Sequence, residues 1–547
     1  MNSSHRRHSK TSFVGLIVTS LVIAACGGGG SSAAPAAGAN PSPNAEPTPA
    51  GGSSDSAFVP GNFQSSSVFK DSCGAPRANT ASDTFPDMQG SFEDEGYWLR
   101  SWSNETYLWY DEIQDRDPGL YATSAEGVAE YFDLLKTQQT TASGNPKDRY
   151  HYTRDTAEYL AESEQGLTFG YGATYRLISR SVPRELVIAL VQENSPAAQA
   201  GLERGARIVT VDGVDLVNGT DTATLNDGLW PGQINEEHSF EVLDPGASEP
   251  RSITMRSGQI STNAVPKTRI LDTDSGKVGY LLFTDHILTA EQQLIDAITE
   301  MRNASITDLV LDLRYNRGGY LYLANQISYM IAGAGVSGQV FNSLQFNEKN
   351  PGVNPVTGSA VRPDTFRTTS TENAAAPGSA LPTLALTQQR VFVLTTGSTC
   401  SASEAIINGL RGVGVDVIQF GSTTCGKPYG FYPQDNCGTT YFTTQFRAVN
   451  AAGFGDYPDG FSPANSTEST VGVSLPGCQA VDDYTPLGET SESMLAAALA
   501  YRQNGGVCGN PSSQGEVREV LPMLNQDSLS GPRSMMGGNM YMRAPGS

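Results

Sequence analysis

The chain has 547 residues, enough for several domains, and its 57 acidic against 35 basic side chains give a formal net charge of -22 at neutral pH. That balance, with few basic clusters, argues against a nucleic-acid binder and against direct electrostatic contact with an anionic membrane. Such acidity fits the soluble surface of an exported protein.

The first segment reads as an export signal. Arg6, Arg7 and Lys10 precede an apolar run from Phe13 to Ala25, shorter than the ~20 residues of a membrane span and suited to secretion. The run ends in Ile23-Ala24-Ala25-Cys26, which resembles a bacterial lipobox. Residues 1–26 are therefore expected to be a lipoprotein signal, with Cys26 the lipidated residue and the lipid the only membrane contact. Gly27 in place of an aspartate points to the outer membrane of a bacterial envelope, facing the periplasm. Residues 27–67, rich in Gly, Ser, Ala and Pro, read as a disordered tether. Removing Cys26 leaves an even six cysteines, which an exported protein can keep as disulfides. Cys425 and Cys437 bracket Lys427 and are the expected local bridge; the other pairings stay open.

Residues 68–164 are expected to form a small helical domain in which Trp98, Trp102 and Trp109 recur at helical spacing and pack the core. In residues 165–262, Asn194-Ser-Pro-Ala-Ala-Gln-Ala-Gly-Leu-Glu-Arg-Gly205 and then Ile208-Val-Thr-Val-Asp-Gly213 give a helix, a turn and a strand. This order closely resembles a PDZ domain. The resemblance makes Gly170, Tyr171 and Gly172 the carboxylate-binding loop, with the strand Leu186 to Val191 after it. It implies capture of a peptide's C-terminus as an added strand. A PDZ fold used only as a lid or spacer is the alternative.

Downstream, Leu309-Val-Leu-Asp-Leu313 reads as a buried strand leading to the glycine pair 318 and 319, where backbone can approach a substrate carbonyl. Residues 335–387 show little regular pattern and read as an ordered insertion or a mobile flap. Val391 to Thr395 reads as a strand and Ala405 to Leu410 as a helix, so Ser401 falls at a strand-to-helix junction. A hydroxyl there meets the free N–H groups and positive end of the helix, which favour the charge that develops in acyl transfer. A further strand, Val415 to Phe420, leads to the loop carrying Lys427. A lysine can serve as base when burial lowers its pKa. His151, His238 and His286 sit in no triad motif. A bare reading, in which Ser401 and Ser403 only cap a helix and Lys427 is a surface charge, stands against this one.

Ser401-Ala-Ser-Glu404, Gly426-Lys427 and Asp312-Leu-Arg-Tyr-Asn-Arg-Gly-Gly319 together resemble the carboxy-terminal processing serine peptidases, family S41. The resemblance implies a multidomain α/β protein: a helical N-terminal domain, a PDZ domain and an α/β (ClpP/crotonase-like) catalytic core over 263–508, with a flexible tail over 509–547. It makes Ser401 the nucleophile, Lys427 the base, and the backbone of Ala402 and Gly318 the oxyanion hole. Protein or peptide substrates, met through their C-termini, are the implied partners. No metal or other cofactor is implied, since no His-Glu-x-x-His or comparable cluster occurs. Two departures stand out: Pro428 follows the lysine, and Phe431 occupies the position where many members carry a glutamine that orients the amine. Cys400 next to the nucleophile raises a cysteine peptidase, disfavoured by the want of a histidine partner. The alternative from another class is a non-hydrolytic peptide- or ligand-binding lipoprotein on the same scaffold.

Overall fold

The computed structural model describes residues 58–81, 83–466 and 471–509, and a short strand at Asn539–Tyr541. The signal, lipobox and most of the tether and tail lie outside the described residues. Among the described residues no helix is long and apolar enough to cross a membrane.

The N-terminal part is built on α1 (Phe92–Thr106) and α2 (Ala125–Leu134). α1 starts at a capping box: Ser91 Oγ accepts from Asp94 N at 3.1 Å, and Ser91 N donates to the Asp94 carboxylate at 2.9 Å. Trp98 and Trp102, one turn apart, stack at 5.1 Å and meet Phe132 of α2 and Tyr441 of the distant core. Trp109 lies beyond the helix end. It packs edge-on to Tyr429 at 4.8 Å, so it belongs to the wall of the lysine loop rather than to the helix stripe.

After α3 (Thr156–Gln165) come β1 (Leu167–Gly170), β2 (Ala173–Ser179), β3 (Glu185–Val191), α4 (Pro196–Gln199), β4 (Arg207–Val211), α5 (Thr222–Leu229), β5 (Glu237–Leu243), β6 (Arg251–Arg256) and β7 (Gly258–Ser261). The main sheet runs β6-β5-β4-β3-β2, leaving β2 at its edge, and β7 pairs antiparallel with β1. Leu186, Ile188, Ala197, Leu225, Phe240 and Val242 close its own core.

The larger core holds β8 (Lys267–Leu271), β9 (Val278–Leu282), α6 (Ala290–Asn303), β10 (Asp308–Asp312), α7 (Leu321–Ala332), β11 (Arg390–Thr395), α8 (Ala402–Gly412), β12 (Asp416–Gly421), β13 (Gly477–Gln479) and α9 (Ser493–Gln503). They form one sheet in the order β8-β9-β10-β11-β12-β13, parallel from β9 onward, with β8 antiparallel at the edge. The strands are apolar on both faces because helices cover both. Leu309, Leu311, Val391 and Val393 face the cluster of α6, α7 and α8, while Val310, Phe392 and Leu394 face Leu495 and Ala498 of α9.

Residues 335–387 are held to this core. Val340–Gln345 pairs with Phe446–Val449, and the buried Glu291 of α6 accepts from Gln326 Nε2 at 2.7 Å and Thr371 N at 2.7 Å. The segment is thus the ordered insertion, not the flap.

The disulfides are Cys73–Cys437, Cys400–Cys425 and Cys478–Cys508. The expected Cys425–Cys437 bridge is therefore corrected. Cys437 sits at the tip of a hairpin, Gln434–Asn436 with Thr439–Phe442, that pairs with Tyr152–Asp155 and turns to the N-terminal domain. Cys425 lies instead against the serine junction.

Candidate active site

Three neighbouring parallel strands deliver the site. β10 runs into the turn of Gly318 and Gly319, β11 into Ser401, and β12 into the loop of Lys427, so the three segments converge beyond the carboxyl ends of adjacent strands, the usual place for a site in such a sheet.

Ser401 is fully buried with φ 60° and ψ -112°. A non-glycine residue in that region carries about 1–3 kcal/mol of strain, held by the surrounding fold. The hold is visible: Ser401 N donates to Glu404 Oε2 at 2.9 Å, while Cys400 N and Ser403 Oγ both donate to Asn316 O, at 3.1 and 3.0 Å. Ser401 Oγ itself is buried without a hydrogen-bond partner, a hydroxyl left uncommitted. Ala402 is the first residue of α8, where a backbone N–H has no carbonyl one turn earlier to bond.

Lys427 is fully buried. Burial holds its amine well below the ordinary lysine range, against a smaller opposing pull from Asp148 and Glu404. Nζ lies 4.0 Å from the Phe431 ring centroid and 4.7 Å from that of Tyr150. The missing glutamine is therefore replaced by an apolar wall, one side of which comes from the N-terminal domain. Tyr150 Oη also donates to Gly426 O at 2.9 Å, and Arg149 to Cys425 O.

Glu404 ties the two loops together. Its Oε1 accepts from Thr424 Oγ1 at 2.5 Å and Gly426 N at 2.8 Å; its Oε2 accepts from Lys427 N at 2.8 Å as well as from Ser401 N. Burial nonetheless keeps its carboxyl above the usual range.

The glycine turn departs from expectation in one respect. Gly318 and Gly319 have φ 99° and 134°, and a Cβ on Gly319 would meet His286 O at 2.4 Å. But Gly318 N donates to Asn316 Oδ1 at 2.9 Å, so this amide is committed within the turn. His286 Nδ1 lies 2.9 Å from the same oxygen, which acts as acceptor, so Nδ1 carries the proton. Burial pushes this imidazole down to about 3, which keeps it neutral and a poor base.

Behind the turn, Arg314 is buried among Asp312, Asp482 and Glu492, with Glu492 Oε1 at 2.6 Å. Arg204, from the turn between α4 and β4, joins the cluster through Asp482 and Tyr315 Oη. Gly170, Tyr171 and Gly172 link β1 to β2, some distance along the chain from Ser401; the Tyr171 ring is buried edge-on to Phe240 at 5.6 Å. Sequence reasoning missed Glu404, Asn316 and Tyr150. Glu404 and Asn316 stood inside the quoted motifs without a role assigned to them, and no local pattern signalled Tyr150.

Comparison with known proteins agrees with this arrangement. Residues 277–435 match the family model "Peptidase family S41", and residues 187–226 match that for a PDZ domain. The chain is 29% identical over 167 residues to a chloroplastic carboxyl-terminal-processing peptidase 2 of Arabidopsis thaliana, covering 29% of this chain and 32% of that protein. It is 30% identical over 140 residues to a carboxyl-terminal-processing protease of Synechocystis, covering 25% and 32%. It thus spans about a third of the length of these curated relatives. A solved chain described as an S41 protease from Bacteroides fragilis shares the fold at TM-score 0.54 and 20% identity, over 78% of this chain and 99% of that one. A segment that matches a PDZ domain thus lies ahead of a segment, on this sheet, that matches peptidase family S41.

Proposed function

We propose that the protein is a serine endopeptidase of the carboxy-terminal processing class, working through a Ser401–Lys427 dyad on exported proteins. What supports this reading is an uncommitted hydroxyl on a strained junction and, on a loop tied to that junction by Glu404, a buried lysine whose amine is held below its usual pKa. Neither feature helps a binding protein, and both cost stability.

In this mechanism Ser401 Oγ attacks the peptide carbonyl as neutral Lys427 takes its proton. The oxyanion is met by Ala402 N and by the glycine turn, where Gly319 takes the donor role because Gly318 N is committed to Asn316. Lys427 then returns the proton to the leaving amine, and water repeats the sequence on the acyl-enzyme. The substrate adds as a strand beside Gly318–Tyr320, the edge against which the chain's own Asn539–Tyr541 pairs in parallel.

The PDZ loop Gly170 to Gly172 and the edge strand β2 are proposed to receive the substrate's C-terminal carboxylate. Cys26 is proposed as a lipid anchor on the envelope's outer membrane, releasable by Cys26→Ser. Purified wild type and Ser401→Ala, incubated with an unfolded protein and read by mass spectrometry of fragments, test the activity. Cleavage by wild type alone is expected; equal cleavage by both contradicts it.

A further inference from the structure

Cys400 stands immediately before Ser401, Cys425 two residues before Lys427, and a disulfide joins them with Cα atoms 5.2 Å apart. The bridge lies inside the hydrogen-bonded frame already described. Cys425 N donates to Thr399 O at 3.0 Å, and Cys425 Sγ sits 3.4 Å from Glu404 Oε2. Cys400 is buried and Cys425 half-buried.

Resting on the dyad reading, we propose that the Cys400–Cys425 disulfide is a positioning element for Ser401 and Lys427, so that turnover requires it to be oxidised. Among the described residues it is the one covalent link between the serine junction and the lysine loop; the rest of the clasp is the Glu404 carboxylate and backbone hydrogen bonds. The rings of Phe431 and Tyr150 flank the amine. The Lys427 side chain starts from the backbone of residues 424–427, so its reach toward Ser401 changes with where that backbone is held. A bond from that backbone to the residue preceding the nucleophile holds it, and misplacement by about 1 Å can cost about a hundredfold in rate.

The bond is also reachable. A dithiol attacks through one thiolate at the half-buried Cys425 Sγ, giving a mixed disulfide and releasing Cys400 as thiolate. The second thiol of the reductant then closes on the first. Two electrons pass from the dithiol to the bridge, Cys400 and Cys425 end as thiols, and the reductant leaves as a cyclic disulfide. The peptidase would thus be idle in a reducing compartment and competent in an oxidising one.

The test compares two double variants of the full chain, Cys400→Ala/Cys425→Ala and Cys478→Ala/Cys508→Ala. Their cysteines are separated by 25 and 30 residues, so loss of loop closure weakens the two folds to nearly the same degree. The readouts are the rate of serine labelling by a fluorophosphonate, kcat and KM on a fluorogenic peptide with a free C-terminus, and Tm. The first pair is expected to lose about tenfold or more in labelling rate and kcat with KM within about twofold; the second is expected to stay near wild type at a similar Tm. Labelling and kcat near wild type in the first pair overturn the proposal, as does a parallel loss in both.

Should the first pair fail to fold, wild type is treated with dithiothreitol under conditions where circular dichroism is unchanged, with the opened bond mapped by alkylation and mass spectrometry. Activity falling with the opened fraction and returning on oxidation is expected; full activity with the bond open refutes it. Undiminished turnover in Ser401→Ala would instead remove the dyad reading, whereas a Ser401-dependent enzyme indifferent to the bond removes only this proposal.

Discussion

Glu404→Gln perturbs the clasp between the Ser401 junction and the Lys427 loop without changing its shape. The carboxylate accepts four hydrogen bonds, two on each oxygen: Thr424 Oγ1 and Gly426 N on one, Ser401 N and Lys427 N on the other. An amide has a single acceptor oxygen, and its NH2 end must face donors. The cheaper orientation sets the NH2 beside Thr424, whose hydroxyl can turn to accept, and strands Gly426 N–H. A stranded buried donor costs about 1–3 kcal/mol, and the two surviving bonds fall from the charged to the neutral class at about 1 kcal/mol each. Relief of the buried charge, which keeps the Glu404 carboxyl above its usual range, offsets part of this. The net loss is about 3 kcal/mol, large against a domain stability of about 5–15 kcal/mol. Urea unfolding followed by circular dichroism measures it. Because both loops move, kcat is expected to fall about a hundredfold with KM nearly unchanged. A variant within about 0.5 kcal/mol of wild type and within about threefold in kcat refutes the reasoning.

Lys427 holds its pKa below the ordinary ~10.4, so between those values the unfolded chain binds more protons than the folded one and this group's contribution to stability rises with pH. Lys427→Met is therefore expected to raise the urea midpoint at neutral pH while abolishing turnover; a lower midpoint contradicts that. With this amine as the base, kcat/KM is expected to rise with pH as it loses its proton, and Phe431→Ala, which opens the wall 4.0 Å from Nζ, should move that rise to higher pH; an unmoved profile shows the wall has no part in the tuning. Arg204→Met strips one of the two cations from Asp482, whose pKa the pair holds down to about 2. The part of Arg204's stabilisation that acts through Asp482 is present above ~3.9 and lost as pH falls toward 2, so the gap between the unfolding curves of variant and wild type should narrow by up to about 2.6 kcal/mol from pH 7 into acid, while the hydrogen bonds from Arg204 to Ala189 O and Thr485 O keep it from closing; a constant gap refutes the linkage.

Much of the core was legible because its strands are short apolar runs bounded by turn residues: Leu309–Leu313, Val391–Thr395 and Val415–Phe420 all fall on observed strands. The junction at Ser401 was legible for the same reason. What was not legible depends on contacts far apart in the chain. Trp109 has helical spacing from Trp102, but the helix ends at Thr106 and the ring turns to Tyr429 instead. Tyr150 comes to the amine from 277 residues upstream of Lys427, and no local pattern announces it. Cys425 lies nearer in sequence to Cys437 than to Cys400, yet pairs with Cys400, since the sheet order of β11 beside β12 decides which loops meet. Gly318 looked like an oxyanion donor from its motif, but the Asn316 side chain two residues earlier takes its N–H.

The central claim is that Ser401 is a nucleophile activated by Lys427, and the most direct test is the site of covalent capture. Wild type and Lys427→Ala are treated with a fluorophosphonate and digested, and the adduct is located by mass spectrometry. The account predicts a single adduct on Ser401 in wild type, faster at higher pH as the amine loses its proton, and none in Lys427→Ala. An adduct on Ser403 or another serine, or equal labelling of Ser401 without Lys427, would contradict it.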